Sequence, residues 1–239
     1  MNGQSNAANG DRGGVELIHE ILPVGLLQCN CHVVGDPVTH EAVVIDPGDE
    51  VELILEVIAR YDLKVRAILN THAHIDHVGG LRKMREATGA PVMMHELDLG
   101  LYRALDMQAM WIRLPAPLIT EVDDFLREEQ GIRWGGYELR VMHTPGHTEG
   151  SVSLYLPRRN GGAAPAGELT DRGAVFAGDT LFAGSIGRTD LWGGSMKDIL
   201  KSLHNKLLTL PDETVVFPGH GPVTTIGDER ESNPFLQTT

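Results

Sequence analysis

Cysteine is nearly absent from this chain: two residues in 239, Cys29 and Cys31, only one residue apart. A pair so close in sequence staples nothing, which excludes a disulfide-framed secreted domain and predicts a reducing, cytoplasmic setting. Basic residues are also short, with 20 Lys and Arg against 33 Asp and Glu and a net charge of −13. That balance argues against nucleic-acid or anionic-membrane partners, whose phosphates require a basic face. No apolar run nears the roughly 18 residues of a membrane helix. The Asn- and Gly-rich start, Met1 to Gly14, has no apolar stretch of the signal-peptide kind. It reads as a disordered lead-in to one domain spanning residues 15–239. Fixed-period repeats and an interior linker are missing too. A chain of this length can bury most of its apolar surface without staples.

What is present alternates between strand and helix. Glu41 to Asp46 carries Ala-Val-Val-Ile closed by Asp46-Pro47-Gly48, a strand and then a turn. Val51, Ile54, Leu55 and Ile58 fall at helical spacing, predicting a helix through Tyr61. Further strands are expected at Lys64–Thr71, Pro91–Met94, Glu138–Met142, Ser151–Leu156, Ala174–Ala177 and Thr214–Phe217. In Ser151–Leu156 the alternation turns Val152, Leu154 and Leu156 one way. Helices are expected over Val78–Ala87, ended by Gly89, and over Glu96–Arg113, which is apolar on more than one face. Another opens at Ser195 with Asp198 three residues on, its stripe being Met196, Ile199, Leu200, Leu203 and Leu207. Pro157–Gly173, rich in Gly, Ala and Pro, reads as a long surface loop. Strands interleaved with helices on one core predict a layered α/β or α+β fold.

The chemistry gathers at strand ends. Thr71-His72-Ala73-His74-Ile75-Asp76-His77 follows the strand that ends near Leu69. In extended chain His72 and His74 point the same way, while Asp76 and His77 come where the chain turns into the next helix. Three other apolar strands end on a glycine and a ligand-type residue: Gly146-His147, Gly178-Asp179 and Gly219-His220. Imidazoles and carboxylates in this number are the donor set of a borderline divalent ion such as zinc. Seven donors exceed what one tetrahedral ion with an open position needs, and suit two ions bridged by a carboxylate.

With these motifs in this order, the chain resembles the metallo-β-lactamase superfamily, and within it the glyoxalase II-like (hydroxyacylglutathione hydrolase-like) enzymes. The resemblance runs from about Val15 to Leu236 and takes in Thr144-Pro145-Gly146-His147-Thr148, Gly178-Asp179-Thr180-Leu181-Phe182, Gly187-Arg188-Thr189-Asp190 and Pro218-Gly219-His220-Gly221. It implies an αββα sandwich of two packed mixed sheets with metals at one edge. It assigns His72, His74 and His147 to a first metal, Asp76, His77 and His220 to a second, and Asp179 to a bridge between them. Zinc is the expected pair, with iron or manganese as alternatives.

The implied reaction is hydrolysis of a small-molecule thioester such as S-D-lactoylglutathione by a metal-bound hydroxide. Asp76 would orient the attacking water. A thiolate leaving group, with a conjugate pKa near 8.5, requires no dedicated general acid. Better-known glyoxalase II enzymes carry a C-terminal helical region that supplies basic residues for glutathione; after His220 this sequence offers only Arg230. Arg188 and Phe182 are the expected substrate contacts, with a buried Arg188–Asp190 ion pair as the rival reading for the arginine. Two other activities compete: a mononuclear-iron persulfide dioxygenase using His72, His147 and Asp179, and a lactonase or other ester hydrolase. Several features are expected to be structural rather than ligating, namely Cys29-x-Cys31, His95 and His143. Met107, Met110 and Trp111 with Leu114-Pro115-Ala116-Pro117 read as core or a self-association face before they read as a substrate wall.

Overall fold

Two mixed β-sheets face each other. The computed structural model describes residues 16–158 and 168–237. The first sheet runs in order through β1 (Ile18–Val24), β2 (Cys29–Gly35), β3 (Glu41–Ile45), β4 (Lys64–Leu69), β5 (Val92–Met94) and β6 (Asp124–Phe125). Its first three strands are antiparallel neighbours and β3 to β6 are parallel. Parallel strands are covered on both faces, which explains the unbroken Ala-Val-Val-Ile of β3.

The second sheet is built from β7 (Gly131–Trp134), β8 (Tyr137–His143), β9 (Val152–Leu156), β10 (Ala174–Gly178), β13 (Val215–Pro218) and β14 (Thr224–Thr225). A small ribbon, β11 (Leu181–Phe182) with β12 (Ser185–Ile186), follows β10. Between the sheets, Val34, Val43, Ile45 and Leu69 meet Leu139, Val141, Leu154, Phe176 and Phe217. Burial of this kind contributes roughly 25 cal/mol per Å² of apolar surface.

Helices cover the outer faces. Against the first sheet lie α1 (Val51–Arg60), the single turn α2 (Ile75–Val78), α3 (Leu81–Thr88), α4 (Leu99–Arg103) and α5 (Leu105–Ile112). Ile54, Met84 and Leu105 from this layer share a core with Val44 and Ile68. Against the second sheet lie α7 (Met196–Asn205) and α8 (Ile226–Ser232), where Ile199, Leu203 and Ile226 meet Val175 and Val216, while α6 (Glu168–Arg172) packs Leu169 against the core between the sheets. The result is the expected αββα sandwich. No described helix is long and apolar enough to cross a membrane.

Several local expectations hold. Ser195 Oγ caps α7 by accepting from the Asp198 amide at 3.2 Å, and Gly89 ends α3 at φ 67°. Others need correction. The helix expected from Val78 is split, because Gly79 and Gly80 separate α2 from α3. The helix expected over Glu96–Arg113 breaks into a 3₁₀ turn, α4 and α5, with Ala104 at the joint. Met196 is 47% exposed rather than core, and Leu207 falls in a 3₁₀ turn after α7. Every residue of β9 is buried, so its polar-looking face lies under the helical layer. The expected loop over Pro157–Gly173 contains α6, and its residues 159–167 lie outside the described residues, as does the Met1–Gly14 lead-in.

Candidate metal centre

Strand direction brings the ligand-type residues to one edge. In the second sheet β8, β10 and β13 run the same way, with β9 passing back between the first two. His147, Asp179 and His220 therefore follow strands that end together. From the first sheet β4 delivers Thr71 to His77 to the same edge, where the Val152 amide donates to the Thr71 carbonyl at 2.8 Å. On the far side the Asn30 amide of β2 donates to the Gly219 carbonyl at 2.7 Å. Only glycine fits at that crossing, since a Cβ on Gly219 would collide with Asp179 Oδ1 and His77 Cε1.

The seven residues form two groups with one residue between them. His74 Nδ1 lies 3.1 Å from His72 Nε2 and 2.9 Å from His147 Nε2. Beside this triad, His220 Nε2 is 3.2 Å from His77 Nε2 and 3.1 Å from Asp76 Oδ2. Asp179 stands between the groups: Oδ2 is 3.4 Å from His147 Nε2, and Oδ1 is 3.5 Å from His77 Nε2.

Hydrogen bonds behind the rings fix which nitrogen faces inward. The carbonyls of Arg188 and Leu27 can only accept, so His147 Nδ1 donates to the first at 2.8 Å and His220 Nδ1 to the second at 3.0 Å. His77 Nδ1 is 3.0 Å from Asp46 Oδ2. The same carboxylate oxygen accepts from Thr71 Oγ1 at 2.6 Å, leaving the hydroxyl free to accept from His72 Nδ1 at 3.2 Å. Four imidazoles thus turn an Nε2 towards the centre. Burial first, and then the neighbouring His77 and His147, hold the His72 ring well below the usual histidine range. Burial, followed by His147, lowers His74 to about 3. Neutral imidazole is the ligating form.

These residues fit a pair of divalent ions. Nitrogens 2.9 to 3.2 Å apart and turned towards one another would serve as joint ligands to one cation in each group. A tetrahedral ion with metal–nitrogen bonds of about 2.0–2.1 Å sets its nitrogens roughly 3.3 Å apart, close to what is seen. Asp179 Oδ1 is buried and has no hydrogen-bond partner among the described residues, an arrangement that costs stability unless a cation sits against it. Imidazole and carboxylate donors suit zinc, iron or manganese alike.

The family model of the metallo-β-lactamase superfamily matches residues 24–161 and 166–220. The chain belongs to that superfamily. It is 34% identical over 226 residues to the hydroxyacylglutathione hydrolase GloC of Haemophilus influenzae, covering 92% of this chain and 98% of GloC. Among solved structures it is similar to BLEG-1, a B3 metallo-β-lactamase, with a TM-score of 0.81, 37% identity, and coverage of 92% of this chain and 100% of that one. It also resembles TTHA1623, solved in a di-iron-bound form, with a TM-score of 0.74, 42% identity, and coverage of 91% of this chain and 100% of that one. Superfamily membership and the His/Asp cluster together make the chain a metal-dependent hydrolase.

Other expected residues fall in different places. A cleft of about 490 Å³ opens over the superfamily's ligand motifs, with Trp111, Ile112, Arg188 and Trp192 among its walls. Arg188 forks onto Asp190 at 2.8 and 2.9 Å, and the pair is exposed rather than buried. Phe182 does not line the cleft: alternation along β11 turns Leu181 into the core and Phe182 away from it. Trp111 and Ile112 are walls, while Met107 and Met110 are exposed and outside the lining. Cys29 sits behind His77, its Sγ 3.4 Å from Nδ1, and faces away from the centre. His95 and His143 stack at 4.1 Å, and His95 caps the 3₁₀ turn at Leu97.

Two carboxylates escaped the sequence reading. Asp46 closes β3 just as the ligand-type residues close their strands, a signal that reads as a turn in the sequence. Its φ of 51° is held by the bonds to Thr71 and His77. Asp98 is buried beside the His72 and His147 loops, and nothing in its local sequence marks it.

Proposed function

We propose that this chain is a two-metal hydrolase of thioesters, with S-D-lactoylglutathione the first substrate to test and zinc the expected pair of ions. Asp179 carries the reading, because its two carboxylate oxygens divide between two complete donor triads. A mononuclear-iron dioxygenase would need only one such group and would leave Asp76, His77 and His220 gathered without purpose. Likeness to GloC, a hydroxyacylglutathione hydrolase, supports the thioester over other esters.

Divalent ions held by the two triads would polarise the substrate carbonyl and acidify a water. Burial pushes the Asp76 carboxyl up, but His77 and the hydrogen bond from His220 outweigh it and hold the carboxyl below the usual carboxylate range. Asp76 is therefore ionised and can accept a proton-sharing hydrogen bond from the attacking water, which orients it. The residues of this chain need not supply an acid to the departing thiolate, whose conjugate pKa is near 8.5. Trp111, Leu101 and Trp192 wall the cleft with apolar surface and limit water around the reacting carbonyl.

Thiol release from S-D-lactoylglutathione by zinc-, iron- or manganese-loaded protein, against chelated protein, tests the reading. Chelator-sensitive release with two ions per chain is the expected result. Two bound ions with no release would remove the thioester and leave lactones and other esters. One iron per chain with oxygen uptake on a persulfide would overturn the hydrolase.

A further inference from the structure

We infer that the substrate carries a bulky apolar acyl group, seated in a second cleft beside the metal centre. This rests on the thioester reading above and narrows it. The second cleft, about 650 Å³, shares Leu27, Ile75, Asp76 and Ile112 with the 490 Å³ cleft over the ligands, so the two meet at Asp76.

A thioester carbonyl carbon bears two substituents, and each needs a path away from the same point. Two clefts meeting at one ligand supply two paths. The cleft over the centre has Arg188 on its wall, whose Nη1 is not used by the fork onto Asp190, which suits the polar thiol-bearing arm. The other is walled by Leu26, Leu114, Pro115, Ala116, Pro117 and Leu118. Its two cations, Arg82 and Lys83, are outnumbered by Asp49, Asp76 and Glu86, so it offers no excess positive charge to a carboxylate.

Size decides against a small acyl group. The second cleft, at about 650 Å³, is far larger than a lactoyl group, which would leave most of it wet. Leu26 is 73% and Leu118 68% exposed, and apolar groups left open at the rim of a reaction site are what an apolar substrate covers. An acyl chain of medium length fills the cleft and removes that surface from water.

The test is a series of N-acetylcysteamine thioesters from acetyl to decanoyl, cleaved by the metal-loaded protein. The expected kcat/KM rises about two- to fourfold per added methylene before levelling, the upper figure being full transfer from water. Ala116→Trp, which fills the cleft from its exposed wall, lowers the octanoyl-to-acetyl ratio about tenfold. Independently of activity, S-octylglutathione binds chelated protein more tightly than S-methylglutathione by calorimetry, with a more negative heat-capacity change. A flat chain-length profile with hydrolysis intact overturns the acyl cleft and leaves the thioester reading standing. No cleavage of any thioester overturns that reading, and equal binding of the two thioethers then overturns the cleft as well. If Leu118→Ser turns a dimer into a monomer without altering the profile, the face joins two copies of this chain and the inference falls.

Discussion

Thr148 Oγ1 donates to Asp98 Oδ2 at 2.9 Å, and this bond ties together two loops that carry ligand-type histidines. The same oxygen accepts the Ala73 amide at 2.9 Å, between His72 and His74, while Oδ1 accepts the Gly150 amide at 2.7 Å, just beyond His147. Every bond at this carboxylate is an acceptance.

Asp98→Asn therefore puts an amide NH₂ against an N–H donor whichever way it turns. The expected loss is about 1–3 kcal/mol of stability, with zinc bound about tenfold more weakly. Urea unfolding of chelated protein and a zinc titration measure the two effects. Wild-type values in both would show that the carboxylate does not hold the loops.

Asp179→Asn should reduce the content of both metals together, since the amide keeps only one of the two oxygens and loses the negative charge that stands between the triads. Elemental analysis after dialysis reads this directly. Two ions retained per chain would exclude the bridging role.

His74→Ala removes the nitrogen that stands between His72 and His147. Thiol release should fall to the chelated level while the far-ultraviolet circular dichroism stays unchanged. Turnover at the wild-type rate would rule out the first site as drawn.

Acid should weaken the sandwich through a pair of histidines outside the seven ligand-type residues. His19 Nε2 lies 3.1 Å from His32 Nδ1, and both rings stand edge-on to Phe176 and Phe217. Burial, opposed by Glu20, lowers His19 to about 4, and burial followed by the His19 charge holds His32 well below its usual range. Both rings bind fewer protons folded than unfolded once the pH drops below the ordinary value of 6.5. Their stability cost is thus absent above about pH 7 and grows as the pH falls through 6.5 towards 4. Urea midpoints across this range should decline, and His19→Phe should flatten the decline. An unchanged slope in that variant would assign the acid sensitivity elsewhere.

The layered architecture and the ligand clusters could be read from the chain because both depend on short patterns: an apolar strand, a glycine, a donor. β1 and β2 could not, since Ile-His-Glu-Ile-Leu-Pro-Val and Cys-Asn-Cys-His-Val-Val-Gly mix polar residues among the apolar ones. Their polar side chains find partners only in the folded molecule, Asn30 on the Pro218 carbonyl and His32 on His19. β9 alternates in sequence yet is buried on both faces, because α7 covers what a two-layer protein would leave wet. Asp98 escaped for a similar reason: its partners lie 25 and 50 residues away, and no local spacing encodes them. Phe182 is close to Asp179 in sequence, yet that proximity says nothing about which side of a two-residue strand faces the cleft.

The ligand-type residues sit at the ends of four strands drawn from both sheets, whereas the largest single contribution to the cleft walls comes from Leu99–Leu118, with more from Arg188–Trp192. Reactivity and selectivity are therefore encoded in separate stretches of the polypeptide. Recasting the connection after α5 would retarget the enzyme to a different acyl group while the ion-holding frame stayed in register. A swap of residues 113–118 is accordingly the smallest graft with which to redirect this scaffold.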